Sequence, residues 1–327
     1  MTHSKTISVA MCTYNGERYL RDQLESIASQ TRLPDELVIC DDLSVDSTTN
    51  IIHDFSSSSP FPVRLHINPV NLGGAAKGIT RNFEQASRIC TGDLIAFCDQ
   101  DDVWLPQKLA RMAQIMEQRP QLGGVFVDAQ LINDQGIPRG ILLSETTGMT
   151  RREHKRLMLG LALPVLLSMN KVYGCTLMVD AKLLMKILPV PPHWWFDAWV
   201  PCSVAVHAGL AFIPEPLFYY RIHATQSGVG ASLPTVFERM KDWKRSAKDY
   251  WELSEPQLAD LYARLSDENS PHMSPYLEYI RGRMDLLCFR SKLPSNYLSR
   301  AIKIVPKMSD YHRYFNGWKS LIKDMTA

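Results

Sequence analysis

The chain contains 327 residues, of which 45% are hydrophobic and 21% are charged, a composition that is ordinary for a globular protein. Its formal net charge of +2 provides no overall positive field, so we expect no nucleic-acid partner. The longest apolar stretch, Met158 to Met169, contains Pro164 and is shorter than the roughly 20 residues that a membrane-spanning helix needs.

Short apolar runs alternate with amphipathic patterns over the first half of the chain. Five runs predict strands: Ile7–Met11, Leu37–Cys40, Val63–Ile67, Leu94–Cys98 and Val125–Val127. The segments between them predict helices: Tyr19–Ala28, a helix capped by Asp46 or Ser47, a helix of about ten residues through Arg81, and a helix that opens near Pro106. Strand–helix repeats of this kind predict an α/β fold with a doubly wound sheet covered by helices on both faces.

The later chain is less regular. Strand-like runs occur at Val172–Val179 and Leu210–Tyr220, and from about residue 235 the pattern is helical and polar. Residues 235–327 hold 16 Lys/Arg and 12 Asp/Glu, a net of +4, together with Trp243, Trp251 and Trp318. Two interpretations remain open: a basic, aromatic surface that contacts an anionic membrane, or ordinary helices with solvated faces.

The cysteines predict a cytoplasmic protein. There are seven, mostly inside apolar runs and without a CxxC pair, as expected of buried, reduced thiols. We expect no signal peptide ahead of the first strand, and a location in the cytoplasm, with peripheral contact at the inner face of the plasma membrane if the basic segment binds lipid.

Polar residues follow four of the predicted strands. They are Thr13-Tyr14-Asn15, Asp41-Asp42, the segment Asn68–Asn71, and Asp99-Gln100-Asp101-Asp102. In a doubly wound sheet the ligand lies beyond the carboxyl ends of the strands. We therefore expect these four segments to converge on one crevice.

The acidic run Asp99–Asp102 is the strongest chemical signal. Carboxylates this close repel one another unless a cation offsets them, and a hard divalent ion such as Mg²⁺ or Mn²⁺ would do so with oxygen ligands. The alternative is an acidic turn that caps the next helix. The segment Gly73–Gly78 has the wrong spacing for a phosphate loop. The negative charge of a bound phosphate would therefore be neutralised by a metal, and Lys77 and Arg81 are candidates to assist.

The motifs Ile7–Gly16, Leu37–Thr48 and Thr91–Trp104, in this order and spacing, resemble family-2 glycosyltransferases with the GT-A fold. The resemblance implies a mixed sheet flanked by helices, a nucleotide-sugar donor and a divalent metal. It implies that Thr13, Tyr14 and Asn15 line the nucleotide pocket and that Asp41 receives the base. The further implied donor contacts are Arg81, Asn82, Asp99 and Gln100, with Asp99 and Asp101 as metal ligands.

The second half carries three further segments of the resemblance. Gly174–Val179 resembles the segment below the reacting sugar. Asp197 matches the acceptor-side general base and is the only acid between Asp180 and Glu215. Many relatives have Glu-Asp where this chain has Phe-Asp, and a helix-capping role for Asp197 is the alternative. The final segment, Leu217–Ser227, implies that Arg221 or His223 approaches the diphosphate or metal. His193 is a weaker candidate near the acceptor.

These observations predict an inverting, metal-dependent, non-processive transferase that moves a sugar to a cell-surface polysaccharide or a lipid-linked glycan. The acidic run and Phe196–Trp199 look closest to bacterial rhamnosyltransferase-like members, which suggests a dTDP-rhamnose donor. A sugar-nucleotide binding module without turnover and a nucleotidyltransferase remain as alternatives. The predicted organisation is a catalytic domain over residues 1–230, divided into a nucleotide-binding half (1–110) and an acceptor-binding half (111–230), followed by a C-terminal helical appendage (231–327).

Overall fold

The computed structural model describes residues 4–73, 76–158, 161–168, 170–224, 226, 254–268, 270–315 and 317–326. The chain divides into two compact units, the first with residues 1–163 and 170–241 and the second with residues 164–169 and 242–327. The predicted boundary at residue 230, Gly74–Ala75, Thr225, Ser227, Trp243 and Trp251 lie outside the described residues. The domain boundaries stay a prediction.

The first unit contains a nine-stranded mixed sheet. In chain order the strands are β1 (Ile7–Thr13), β2 (Glu36–Asp41), β3 (Val63–Ile67), β4 (Leu94–Cys98), β5 (Val103–Trp104), β6 (Gly124–Ile132), β7 (Pro138–Leu142), β8 (Leu177–Asp180) and β9 (Leu210–Arg221). Their order in the sheet is β3-β2-β1-β4-β8-β6-β9-β5, with β7 paired to β6. The first four strands are parallel, whereas β8 is antiparallel to both of its neighbours. The predicted mixed sheet is confirmed.

Helices flank this sheet. They are α1 (Leu20–Ala28), α2 (Thr48–Ser56), α3 (Ala76–Ile89), α4 (Lys108–Gln118), α5 (Leu143–Thr146), α6 (Arg151–Met158), α8 (Ala181–Ile187) and α9 (Phe196–His207). A further helix, α7 (Ala162–Ser168), belongs mostly to the second unit, which includes residues 164–169. Of the two predicted capping residues of α2, Ser47 occupies the N-cap position but its side chain makes no capping hydrogen bond; the preceding Asp46 accepts the Thr48 amide through Oδ1 at 3.0 Å. α4 begins two residues after Pro106, following a turn in which the Lys108 amide donates to the Leu105 carbonyl.

The core consists of apolar side chains that recur along the sequence at the spacing of the strand or helix that carries them. The central strands β2 and β4 are buried along their whole length, as expected of parallel strands covered on both faces. On α4, Leu109, Met112, Ala113 and Met116 form one fully buried stripe. Burying a large aliphatic side chain contributes about 1.5–3 kcal/mol, so this stripe is what holds α4 in place.

One predicted strand is shorter in the structure. The run Val172–Val179 was expected to be extended, but Gly174–Thr176 forms a 3-10 turn and only Leu177–Asp180 is a strand. The Thr176 hydroxyl donates to the Tyr173 carbonyl at 2.7 Å, a local hydrogen bond that competes with sheet pairing. This turn brings Cys175 under the acidic run.

The second unit is helical, as predicted for the C-terminal region. Its helices are α10 (Glu255–Asp267), α11 (Ser274–Ser291), α12 (Tyr297–Ile304), α13 (Met308–Tyr314) and α14 (Trp318–Thr326). A small core joins Leu286, Ile304, Tyr311, Tyr314 and Leu321. Among the helices within the described ranges, none has the length and apolarity that a bilayer span requires.

Candidate active site

The tips of β1 and β2 are held together by buried hydrogen bonds. The Thr13 hydroxyl donates to Asp41 Oδ2 at 2.7 Å, and the same carboxylate accepts the Ser44 amide and hydroxyl at 2.7 and 2.6 Å. Asp41 is fully buried. The predicted contact of Asp41 with a base stays a prediction, and in the structure this carboxylate is occupied by three protein donors.

The β1 tip continues as a strained loop. Asn15 has a φ of +46°, a left-handed conformation that Asn tolerates better than most residues. Its side chain accepts the Val45 amide at 2.9 Å, so the loop stays close to the tip of β2. Tyr14, next to it, is 42% exposed.

Gln100 clamps this loop from the acidic run. Its Oε1 accepts the Tyr14 amide at 2.9 Å and its Nε2 donates to the Tyr14 carbonyl at 3.0 Å. A Cβ at Gly16 would lie 2.3 Å from Gln100 Oε1, so any larger residue there would push the end of the Gln100 side chain out of this position. The observed contacts make Gln100 a positioning residue for the loop, and its predicted contact with the donor stays a prediction.

Asn82 links α3 to two strand tips. Its amide donates to the Cys40 carbonyl at 2.9 Å, and its carbonyl accepts from Asn68 at 3.0 Å. Asn68 also donates to Asp42 at 3.1 Å, and Asp42 accepts the Leu72 amide at 2.7 Å. Asn82 is therefore buried and organises the pocket wall. The adjacent Arg81 is exposed, in keeping with its predicted donor contact, which stays a prediction.

The acidic run does not cap a helix, because the N-cap of α4 is Gln107. Burial and the neighbouring charge of Asp101 raise the pKa of Asp99 to about 6. Burial and the same neighbour raise the pKa of Asp102 well above its usual value. Asp102 Oδ1 accepts the Arg221 amide at 3.2 Å, while its buried Oδ2 has no partner among the described residues. The run is therefore a buried acidic centre that its neighbours offset only in part, and a cation would stabilise it further.

Two groups of potential ligands surround this centre. His223 Nε2 lies 2.8 Å from Asp101 Oδ2, which brings together two of the three predicted metal ligands. Separately, Asp99, Asp102 and Cys175 have potential ligand atoms within 4.8 Å of one another. Burial raises the pKa of the Cys175 thiol well above its usual value, and Mg²⁺ and Mn²⁺ prefer oxygen ligands. Carboxylate and imidazole donors such as those of Asp99, Asp101 and His223 suit such an ion better than a thiol does, and this predicted ligand set stays a prediction.

Arg221 lies beneath the acidic run with 3% of its surface exposed. Its Nε donates to the Asp101 carbonyl at 2.9 Å and its Nη1 to the Asp134 carbonyl at 3.2 Å. Its Nη2 is 3.2 Å from Asp22 Oδ2, and its guanidinium lies over the Tyr19 ring. These contacts hold the backbone of the run in place. The predicted approach of Arg221 to the diphosphate stays a prediction.

Lys108 is a buried cation to which sequence reasoning assigned no role. Its Nζ donates to the Cys175 carbonyl at 2.7 Å and lies 3.8 Å from the Trp104 ring centroid and 4.1 Å from that of Phe218. Burial lowers its pKa to about 8. A signal was present in the sequence, since Lys108 precedes Met112 by four residues and so falls on the buried stripe of α4.

Asp197 lies in the first turn of α9, after the N-cap residue Trp195, so it is not the capping residue. Burial and the charge of Asp99 raise its pKa to about 7, and a hydrogen bond from Asn170 opposes that increase. The start of α9 is fixed by Phe196, whose amide donates to Thr80 Oγ1 at 3.1 Å. Asp197 is therefore within electrostatic influence of Asp99, and its role as the base stays a prediction. His193, by contrast, lies exposed ahead of α9.

Comparisons with known proteins agree with this arrangement. The chain is 26% identical to the uncharacterized glycosyltransferase alr2836 of Nostoc sp. over 290 residues, 85% of this chain and 82% of that one. It is 37% identical to the dTDP-rhamnosyl transferase RfbG of Shigella flexneri over 99 residues, 30% of this chain and 34% of that one.

Among solved structures, residues 1–349 of Staphylococcus aureus TarS in complex with UDP-GlcNAc align over 98% of this chain and 88% of that one. The TM-score is 0.56 at 16% identity, a likeness that shows the GT-A-type fold. The sequence profile of glycosyl transferase family 2 matches residues 8–174, which include the strand tips and the acidic run. The chain therefore belongs to glycosyl transferase family 2.

Proposed function

We propose that this protein is an inverting, metal-dependent, non-processive glycosyltransferase. It moves one sugar from a nucleotide-diphosphate donor to a hydroxyl group of a cell-surface polysaccharide or a lipid-linked glycan. The observation that carries the proposal is the pairing of Asp197, whose pKa is raised to about 7, with the acidic run at the end of β4.

The chemistry requires a base on the acceptor side. The acceptor oxygen attacks the anomeric carbon, the bond from that carbon to the diphosphate oxygen breaks, and Asp197 takes the acceptor's proton. A base whose pKa is close to the working pH is efficient, because it is ionised and still accepts a proton readily. One displacement of this kind inverts the configuration at the anomeric carbon.

The acidic run serves the leaving group. Asp99, Asp101 and His223 would hold a divalent ion, which when bound neutralises negative charge on the departing diphosphate. The residues of the chain itself shape the site around it: Arg221 fixes the backbone of Asp101, and Gln100 fixes the loop that carries Tyr14. Thr13, Asn15, Asp41, Arg81 and Asn82 complete the proposed donor side.

For the donor we propose dTDP-rhamnose. The similarity to RfbG supports this choice, although it covers only 30% of the chain. The proposed organisation is a catalytic domain over residues 1–230, with donor-binding (1–110) and acceptor-binding (111–230) halves, and a helical region from residue 231. We propose a cytoplasmic location for these steps.

The decisive experiment is a transfer assay with a panel of sugar nucleotides, with and without Mn²⁺ or Mg²⁺. We expect release of the nucleoside diphosphate only when metal is present, and an inverted linkage in the product by NMR. The alternative result is that the protein binds donors without metal but turns none of them over, even with acceptor present. That result would identify a sugar-nucleotide binding module. Release of inorganic pyrophosphate from a nucleoside triphosphate would identify a nucleotidyltransferase.

A further inference from the structure

Helix α12 exposes large apolar side chains. Tyr297, Leu298 and Ile302 are 61%, 68% and 67% exposed, and at 3.6 residues per turn they fall within one arc of about 140°. Val305, directly after the helix, is 54% exposed. A run of four exposed apolar side chains is more than scattered surface residues, and patches of this kind mark interaction sites.

Two other side chains of α12 anchor this helix in the second unit. α12 is anchored by Ile304, which is fully buried in the small core, and by Arg300. The guanidinium of Arg300 donates to the Pro294 carbonyl at 2.7 Å and to the Asp324 carbonyl at 3.1 Å. Arg300 and Ile304 are four residues apart and are neighbours on the helix surface. On the helix the apolar arc begins about 20° from Ile304, at Tyr297, and extends away from Arg300 through Ile302 and Leu298.

Helix α14, which packs beside α12, adds two more exposed side chains. Trp318 and Ile322 are 55% and 51% exposed, and their spacing of four residues puts them on one side of the helix. We call Tyr297, Leu298, Ile302, Val305, Trp318 and Ile322 together the terminal surface. Tyr and Trp are residues that favour the boundary between water and lipid, since each has an apolar body and a polar tip.

The charge around the terminal surface is strongly positive. Residues 290–326 contain 8 Lys/Arg and 2 Asp/Glu, a net of +6. Both acids are engaged within the unit: Asp324 pairs with Arg290 at 2.6 Å, and Asp310 with Lys307 at 3.1 Å. Lys303 and Lys307 are exposed on and just after α12. Basic residues beside an apolar helix face complement an anionic lipid surface.

We propose that the terminal surface docks on an anionic lipid bilayer, with its apolar side chains in the headgroup region and its lysines on lipid phosphates. This inference rests on the second unit alone and does not depend on the proposed transferase activity. A second copy of the chain is a poorer occupant, because two surfaces with this excess of positive charge would repel each other.

The test uses the full chain and vesicle co-sedimentation. We expect binding to phosphatidylcholine vesicles that contain phosphatidylglycerol, at least about tenfold weaker binding to pure phosphatidylcholine, and loss of binding at high salt, because salt screens the lysines. The variant Leu298→Glu/Ile302→Glu places charge in the apolar arc, and we expect it to lose binding. Ile137→Glu, at another exposed isoleucine in the first unit, is the matched control and should bind as the wild type does.

Several outcomes would overturn the proposal. They are absence of vesicle binding, binding that Leu298→Glu/Ile302→Glu leaves intact, and equal loss in the Ile137→Glu control. A concentration-dependent dimer in light scattering that the double variant abolishes, without any vesicle binding, would assign the terminal surface to self-association. Thermal unfolding of each variant checks the fold, and donor turnover measured without vesicles separates this result from a failure of the proposed function.

Discussion

Replacement of Asp197 by Asn is the sharpest test of the proposed chemistry. Asn is similar in size but cannot take a proton from the acceptor hydroxyl. General-base catalysis contributes about 10²- to 10⁴-fold to rate, equivalent to about 3–5 kcal/mol of activation free energy. We expect kcat to fall by this factor while the Kd for the donor changes little, because the role that we propose for Asp197 is on the acceptor and not on the donor.

The pH dependence of kcat in the wild type is a second test of the role of Asp197. The base must be ionised, and its pKa is raised to about 7. One pH unit below that value, roughly one-tenth of the carboxyl is ionised. The acidic limb of kcat should therefore fall near pH 7 rather than near 4. The variant Asn170→Ala removes the hydrogen bond that lowers this pKa and should shift the limb to higher pH.

Stability provides an independent check with a definite sign. A carboxyl whose pKa is higher in the folded state than in the unfolded state binds more protons when folded, so its contribution to stability decreases as pH rises between about 4 and 7. At pH 8 Asp197→Asn removes a buried charge and should raise the Tm relative to the wild type. The assays are nucleoside diphosphate release over pH 5.5–8.5, at about half-unit steps, and thermal unfolding. A variant that kept full activity, or a wild-type profile flat across this range, would refute the assignment.

Three further substitutions test the site. Asp101→Ala should abolish metal-dependent turnover, measured with a Mn²⁺ titration; unchanged metal dependence would remove Asp101 from the ligand set. Gly16→Ala places a Cβ against the end of the Gln100 side chain, which must move and give up its hydrogen bonds with Tyr14, and should cost about 1 kcal/mol of unfolding free energy in urea. That cost should shrink in a Gln100→Ala background, and an additive double variant would contradict the clamp. Asn82→Ala leaves the buried Cys40 carbonyl without its donor and should destabilise the fold by about 1–3 kcal/mol; denaturation with no change in midpoint would count against this role.

The elements of the first half could be predicted from the sequence because their signals are local. Leu94–Cys98 is an uninterrupted apolar run that a buried parallel strand requires, and its predicted bounds match β4. The stripe of α4 likewise follows from spacing alone. The acidic run was predicted to follow a strand end, and the parallel pairing of β1, β2 and β4 makes that end adjacent to the other polar tips.

Strands that form by pairing with residues far away in the chain could not be predicted from local sequence patterns. β5 has only two residues, too few to show an alternating pattern in the sequence. It is a strand because it pairs with β9, which lies far away in the chain and also pairs with β6. The 3-10 turn at Cys175 was missed for a different reason: a local hydrogen bond from the Thr176 hydroxyl to the Tyr173 carbonyl competes with strand pairing in a segment whose apolar pattern is strand-like.

The sequence by itself determined the family, the order of the first strands and helices, and the residue types that carry the chemistry. Only the tertiary structure decided their charge states and contacts: Arg221 beneath the run, Lys108 among aromatic rings, and Asp197 within the field of Asp99. The physical reason is that periodicity and motifs are encoded over a few adjacent residues, whereas burial and electrostatic influence depend on which distant groups the fold brings together.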